Sequence, residues 1–386
     1  MSTSRRSSFD LTTNALTRAI EARRASGRGF LDLTVSNPTT ADLPYDGDSI
    51  LRALSDPKAL VYDPQPFGLP RAREAVAREL SALHPISAEH VLLTASSSEA
   101  YSFLFKLLCD PGDEVVIAAP SYPLFEHLAA LESVTLVPYP LRYDGEWHVD
   151  ADALRRAIGP KTRVIVTVNP NNPTGSFLSR DELAMLTSFG LPILSDEVFA
   201  TYPLTRDPDR ATTARLATDA LVFALGGLSK LAALPQMKLG WMAVGGPSAK
   251  VNDVLAKLEI IADTFLSVGT PVQHAAETLL KAGKTTALAI SERTTTNLAT
   301  LDRALGKDSS ATRLRVDGGW YATLRLPQIM TEEEWVLGFL EDDGVLVHPG
   351  SFFDFESEAF VIVSLLTREK DFEEGMRRIV AHLAKI

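Results

Sequence analysis

Six short apolar runs constrain the fold of this chain more than any other feature. They lie at residues 91–94, 114–119, 164–168, 191–195, 221–225 and 241–244. Each is shorter than an ordinary helix, is rich in β-branched or aliphatic residues, and stops at a polar, glycine- or proline-bearing turn. Helical patterns lie between them. Pro70 suits the first turn of one helix, which carries Ala72, Ala75, Val76, Leu80 and Leu83 on one side. A second pattern runs from Glu99 to about Cys109, and a third passes through Val254, Leu258 and Ile261 towards Phe265, with a break at Thr270 and Pro271. Continuous apolar strands that alternate with helices predict an α/β fold, with a mostly parallel sheet covered on both faces.

Ligands of such sheets bind beyond the carboxyl ends of the strands. Reactive residue types stand at five of those ends. After residues 91–94 come Ser96, Ser97 and Ser98 at the start of a helix. Serines there are first of all caps, yet a helix start with free N–H groups also binds phosphate. Tyr122 follows residues 114–119, as packing or as a flat face for a ring. The run Asn169-Pro-Asn-Asn-Pro-Thr-Gly175 follows residues 164–168 and places three amides, among them Asn172, at a strand end. Asp196 and Glu197 end the fourth strand. Lys230 follows residues 221–225 on a loop broken by Gly226, Gly227 and Ser229. A lysine in an apolar site loses hydration, its pKa falls, and its neutral amine can form a Schiff base with an aldehyde. Each residue alone has an ordinary reading as cap, turn or solvated loop. Those readings do not jointly predict all five at strand ends.

Charge and cysteine content narrow the partners. The formal net charge of -11 opposes a nucleic-acid or anionic-membrane partner, while leaving room for a local basic site for a small anion. Cys109 is the only cysteine, so an internal disulfide is excluded and a reducing, cytoplasmic setting is expected. The polar start, with Arg5 and Arg6, lacks the apolar segment of a usual secretory signal. The seven histidines are scattered, and no metal-spaced His/Cys cluster is expected.

The asparagine run, the Asp196-Glu197 strand end and the Ser229-Lys230 pair, in this order and spacing, resemble the class I/II aminotransferases, pyridoxal-phosphate enzymes of fold type I. The resemblance covers nearly the whole chain and implies transamination between an amino acid and a 2-oxo acid. It implies Lys230 as the residue bonded to pyridoxal 5'-phosphate and as the proton carrier. It implies Asp196 on the ring nitrogen, Asn172 on the ring's 3-oxygen, Tyr122 stacked on the ring, and Ser96, Ser97, Ser98 and Lys238 on the phosphate. It further implies a homodimer in which Tyr62 reaches the neighbouring subunit's phosphate. The α+β domain at 271–386 would follow a cofactor domain at 46–270 and an N-terminal arm at 1–45.

The chain departs from the family at several places. Lys238 replaces the usual arginine, Gln236 a glycine, Gly227 a frequent phosphate-binding serine, and Phe199 a tyrosine. Ile362 stands where the family carries the arginine that grips the substrate carboxylate. Arg325, with Tyr321 and Thr323 on one strand face, and Arg368 are the candidate substitutes, and Asn37 would add an amide. A carbon–sulfur β-lyase of the same fold and a cofactor-binding regulator without turnover are the alternative readings. The first usually has a different asparagine loop, the second an N-terminal DNA-binding domain.

Overall fold

The computed structural model describes residues 3–357 and 359–385. Strand β1 (Leu31–Asp32) comes first. Next come β2 (Val91–Thr94), β3 (Glu114–Ala119), β4 (Thr135–Tyr143), β5 (Trp147–Val149), β6 (Thr162–Val168), β7 (Ile193–Asp196), β8 (Val222–Gly227) and β9 (Gly240–Gly245). They form one sheet in the order β2-β9-β8-β7-β6-β3-β4-β5. The central pairs β4·β3, β3·β6, β6·β7 and β7·β8 are parallel. The pairs β8·β9, β9·β2 and β4·β5 are antiparallel. Two successive reversals make β2 run the same way as β8.

Strands buried on both faces explain the near-continuous apolar runs. On one face Val115, Val164, Leu194 and Phe223 pack against helices Ser97–Leu108 and Ser248–Phe265 through Tyr101, Leu104, Val254 and Leu258. On the other, Val116, Ile165, Ile193 and Val222 meet Leu154, Leu183 and Leu186 of helices Ala151–Ala157 and Arg180–Ser188.

The C-terminal part contains β10 (Thr312–Arg313), β11 (Tyr321–Arg325), β12 (Val345–Leu346), β13 (His348–Pro349) and β14 (Phe360–Ser364). Four of these form an antiparallel sheet ordered β10-β11-β14-β13, and β12 pairs with β1. Val361 and Val363 face a core with Trp335, Phe339, Phe372 and Met376, from helices Glu332–Glu341 and Glu369–Leu383. The alternate residue Ile362 faces the other way, into a cluster with Phe199, Trp320, Tyr321 and Phe353. Helix Thr270–Leu305 begins at the expected break and packs against elements of both parts.

The first helix spans Ala15–Ala25: Asn14 caps it through Thr17 N at 2.8 Å, and Asp10 draws Thr12 N into its own turn. The β4–β5 pair has no apolar-run signature. Pro138 and Pro140 interrupt the β4 pattern and cannot donate to a ladder, yet β4 pairs with both neighbours.

Candidate active site

The five strand ends singled out in the sequence share one edge of the large sheet. β2, β3, β6, β7 and β8 run in the same direction, so Ser97, Tyr122, Asn172, Asp196 and Lys230 all leave the sheet on the same side. Asp196 lies between Val168 of β6 and Leu225 of β8 in the strand register.

Asp196 is 7% exposed. Its Oδ1 accepts Val198 N–H and its Oδ2 accepts the Tyr101 hydroxyl, both at 3.2 Å. Burial raises its pKa to about 6, against the opposing pull of those hydrogen bonds and of Lys230. Lys230 sits on the one-turn helix Leu228–Leu231. Its Nζ lies 4.8 Å from the Trp320 ring centre and 5.4 Å from that of Phe199. Burial lowers its pKa to about 8, and the Asp196 charge limits the fall. Phe199 thus supplies a wall under the amine. The Tyr202 hydroxyl donates to Lys230 O at 2.6 Å, and Tyr45 donates to Ala233 O at 2.8 Å. Both tyrosines fix the backbone of the lysine turn. Sequence reasoning missed them and Tyr101, because each arrives from an element without a strand-end signature.

The asparagine run divides its labour. Asn169 Oδ1 accepts Leu178 N–H at 2.9 Å and its amide donates to Ala211 O at 2.7 Å. Asn171 accepts from Thr174. Asn172 is also buried, but its Oδ1 has no protein partner. Gly175 closes the run at φ 70, where a Cβ would meet Val316 at 2.2 Å and Gly318 O at 2.6 Å. This close approach lets Asp317 and Gly318 donate to Gly175 O and carries the following Trp320 towards Lys230.

At the phosphate candidates the cap and the anion readings separate. Ser96 caps its helix, accepting Glu99 N–H at 3.1 Å, while Glu99 accepts Ala95 N–H. The half-buried hydroxyls of Ser97 and Ser98 make no hydrogen bond among the described residues. Gly240 lies hard against this turn, since a Cβ there would be 3.0 Å from the Ser96 carbonyl carbon. Its β8 partner across the ladder is Gly227. The Gly227 departure therefore leaves a smooth cradle at the helix start. Lys238 is exposed two residues before Gly240, at φ 52, with no ion pair among the described residues. Gln236 is also exposed, in the 3-10 turn Pro235–Met237.

The remaining candidates occupy the rim. Tyr122 is 39% exposed, and both burial and the Asp196 charge raise its pKa. Ser121 N–H donates to Phe353 O at 2.9 Å, tying the tyrosine's loop to the C-terminal part. Tyr62 is exposed beside Leu60 and Val61. Asn37 Oδ1 is committed to Thr39 N and Oγ1, so its amide nitrogen is the group left for a ligand. Arg325 is exposed at the end of β11, and Arg368 is 57% exposed, 4.0 Å from Asp42. Neither guanidinium is brought into the aromatic cluster around Lys230.

The pieces fit a phosphorylated aromatic aldehyde. A buried carboxylate suits a protonated ring nitrogen, the unpaired Asn172 oxygen suits a hydroxyl donor, and the helix start with Ser97 and Ser98 suits a phosphate. Among the described residues no group of three His, Cys, Asp or Glu could hold a metal ion. No helix among them is long and apolar enough to cross a membrane.

Known proteins share both the sequence and the shape. The chain is 30% identical over 269 residues to the glutamate-pyruvate aminotransferase AlaA of Escherichia coli, covering 67% of this chain and 66% of that one. This chain thus spans about two thirds of that relative's length. It is 26% identical over 374 residues to the alanine aminotransferase of Mycobacterium tuberculosis, covering 92% and 86% of the two chains. The solved alanine aminotransferase of Pyrococcus furiosus superposes over 100% of both chains with a TM-score of 0.89 at 23% identity, a likeness of fold. The sequence profile described as "Aminotransferase class I and II" matches residues 28–379, and the chain belongs to that family.

Proposed function

We propose that this chain is a pyridoxal 5'-phosphate-dependent aminotransferase, exchanging an amino group between an amino acid and a 2-oxo acid. One observation carries the reading. A buried lysine whose pKa falls to about 8 stands within the field of a buried carboxylate, at a sheet edge where the Asn172 oxygen has no protein partner. The cofactor, when bound, supplies an electrophilic carbonyl and a ring that accepts electrons from the substrate's reacting carbon. The rest is the work of the chain. Lys230, with its pKa near 8, is deprotonated often enough at neutral pH to take a proton from the substrate Cα and return it elsewhere. Asp196 would hold the ring nitrogen in its protonated form, and that positive charge would compensate the cost of burying the carboxylate. Phe199 and Trp320 exclude water around the amine. Tyr202 and Tyr45 keep the lysine turn in place.

The exposed Leu60–Tyr62 strip supports a homodimer in which Tyr62 completes the neighbouring phosphate site, with Lys238 as an added cation. The lone Cys109 supports a cytoplasmic setting. Relatives named for alanine and for glutamate–pyruvate make those compounds the first to test. Purified protein loaded with cofactor is mixed with single amino acids, and the conversion of bound cofactor is followed by absorbance. Restoration by a 2-oxo acid is the expected result. Retained cofactor with no amino-group transfer across a full donor and acceptor panel sinks the proposal.

A further inference from the structure

Both sides of the proposed transamination carry a carboxylate beside the reacting carbon, so the site needs a group that receives it. This inference rests on that reading. The wall opposite Lys230 is the inward face of β11, β14 and β13. Across it Thr323, Ile362 and His348 form one register row. Ile362 and Thr323 are sealed, at 0% and 1% exposure, beneath the cluster of Phe199, Trp320, Tyr321 and Phe353. Neither side chain has open surface to offer. Arg325 stands four residues beyond Tyr321, roughly 13 Å along an extended strand, and is turned to solvent. Arg293, on the long helix, is held by Ala41 O and by Glu369.

His348 differs from all of these. It is half-buried, and neither ring nitrogen makes a hydrogen bond among the described residues. Its ring lies 5.8 Å from that of Phe353, edge to face, and 6.1 Å from that of Phe352. Phe353 O accepts Ser121 N–H, next to Tyr122. Through Phe353 the imidazole adjoins the seam where the lysine-bearing edge meets the C-terminal wall. Burial favours its neutral form, and Asp32 is the charged group whose field opposes that. A carboxylate brought beside it supplies a second, closer negative charge.

We propose that His348 receives the substrate carboxylate, taking up a proton as it does so and replacing a fixed guanidinium by a charge made on binding. Because the rest of the wall is apolar, the site favours substrates with one carboxylate and an apolar body.

The test uses cofactor-loaded enzyme and a non-reacting probe, 3-phenylpropionate, against its neutral amide. Titration calorimetry in two buffers of different ionisation enthalpy reads affinity and proton uptake together. Wild type should bind the acid with uptake of up to about one proton and bind the amide with none. His348→Phe keeps the aromatic packing; it should weaken the acid about ten- to hundredfold, abolish the uptake, and leave the amide unchanged. KM for the best amino acid should rise by a similar factor, with a smaller change in kcat. His348→Gln, which keeps a donor, should recover part of the affinity without proton uptake. Equal affinity, equal uptake and an equal KM in His348→Phe overturn the assignment, while normal turnover in that variant leaves transamination standing. Absence of any amino-group transfer in wild type overturns the transaminase reading instead.

Discussion

The lysine-bearing edge and the wall that faces it are built on opposite principles. The edge is polar and set by the main chain. Each of its groups leaves a parallel strand, and several await a partner: the Asn172 oxygen and the hydroxyls of Ser97 and Ser98. The wall is apolar and set by side chains. Ile362, Trp320, Phe199 and Phe353 are sealed against each other, and His348 is its open polar residue on the register row. A parallel sheet delivers groups to one edge whatever the substrate.

The largest expected effect comes from breaking the edge at its buried carboxylate. Asp196→Asn should lower kcat by on the order of 10²- to 10³-fold, as removal of a placed electrostatic partner does. Stability should move the other way. The folded Asp196 has a pKa near 6 against 3.8 unfolded, so its contribution is full below about pH 4 and is lost as pH rises through 6. Thermal melts of cofactor-free protein should therefore show Asp196→Asn gaining on wild type between pH 4 and 7, by on the order of 1–3 kcal/mol. A difference that stays flat over that range contradicts the assigned environment.

The next prediction extends the edge across a subunit boundary. Tyr62→Phe and Lys230→Ala proteins, each weakened, are mixed and re-equilibrated. Hybrid dimers should regain activity, because one of their two sites lacks both changes. Hybrids that form yet stay as inactive as their parents remove Tyr62 from a shared site.

Smaller effects separate the members of the edge. Asn172→Ala should weaken cofactor binding or turnover about ten- to hundredfold, the range of a lost hydrogen bond to a charged group. Lys238→Ala should cost less, since that lysine is exposed and its charge is screened. Cofactor dissociation constants for both variants give the order, and a larger loss for Lys238 reverses it. The smallest effect sharpens the wall. Arg325→Ala and Arg368→Ala should each retain kcat/KM for an amino acid within about threefold, as exposed charges do. A hundredfold loss in either restores a guanidinium as the carboxylate's partner.

How much of this was readable beforehand follows from the same contrast. Lys230, Asp196 and Asn172 were legible because a strand end is a local pattern: an apolar run, a break, then a reactive residue. That Asn169 is committed to Ala211 and Leu178 and Asn171 to Thr174, while the Asn172 oxygen is left unpaired, follows only from tertiary structure, since all three amides look alike in a string. Tyr101, Tyr202 and Tyr45 meet the site from a helix interior and two loops, so only tertiary packing brings them to Asp196 and the lysine turn. His348 was hidden for a related reason. Its place beside Ile362 is a strand register, which neither segment states alone.

The central claim is that the Lys230 amine is the group that bonds the cofactor. Borohydride reduction of the cofactor-loaded protein, followed by peptide mapping, tests it most directly. The label should fall on the peptide containing Lys230, and its incorporation into cofactor-free protein given fresh aldehyde should rise with pH through about 8, where the amine becomes neutral. Label on any other lysine, or labelling of Lys230→Ala at the wild-type level, contradicts the account.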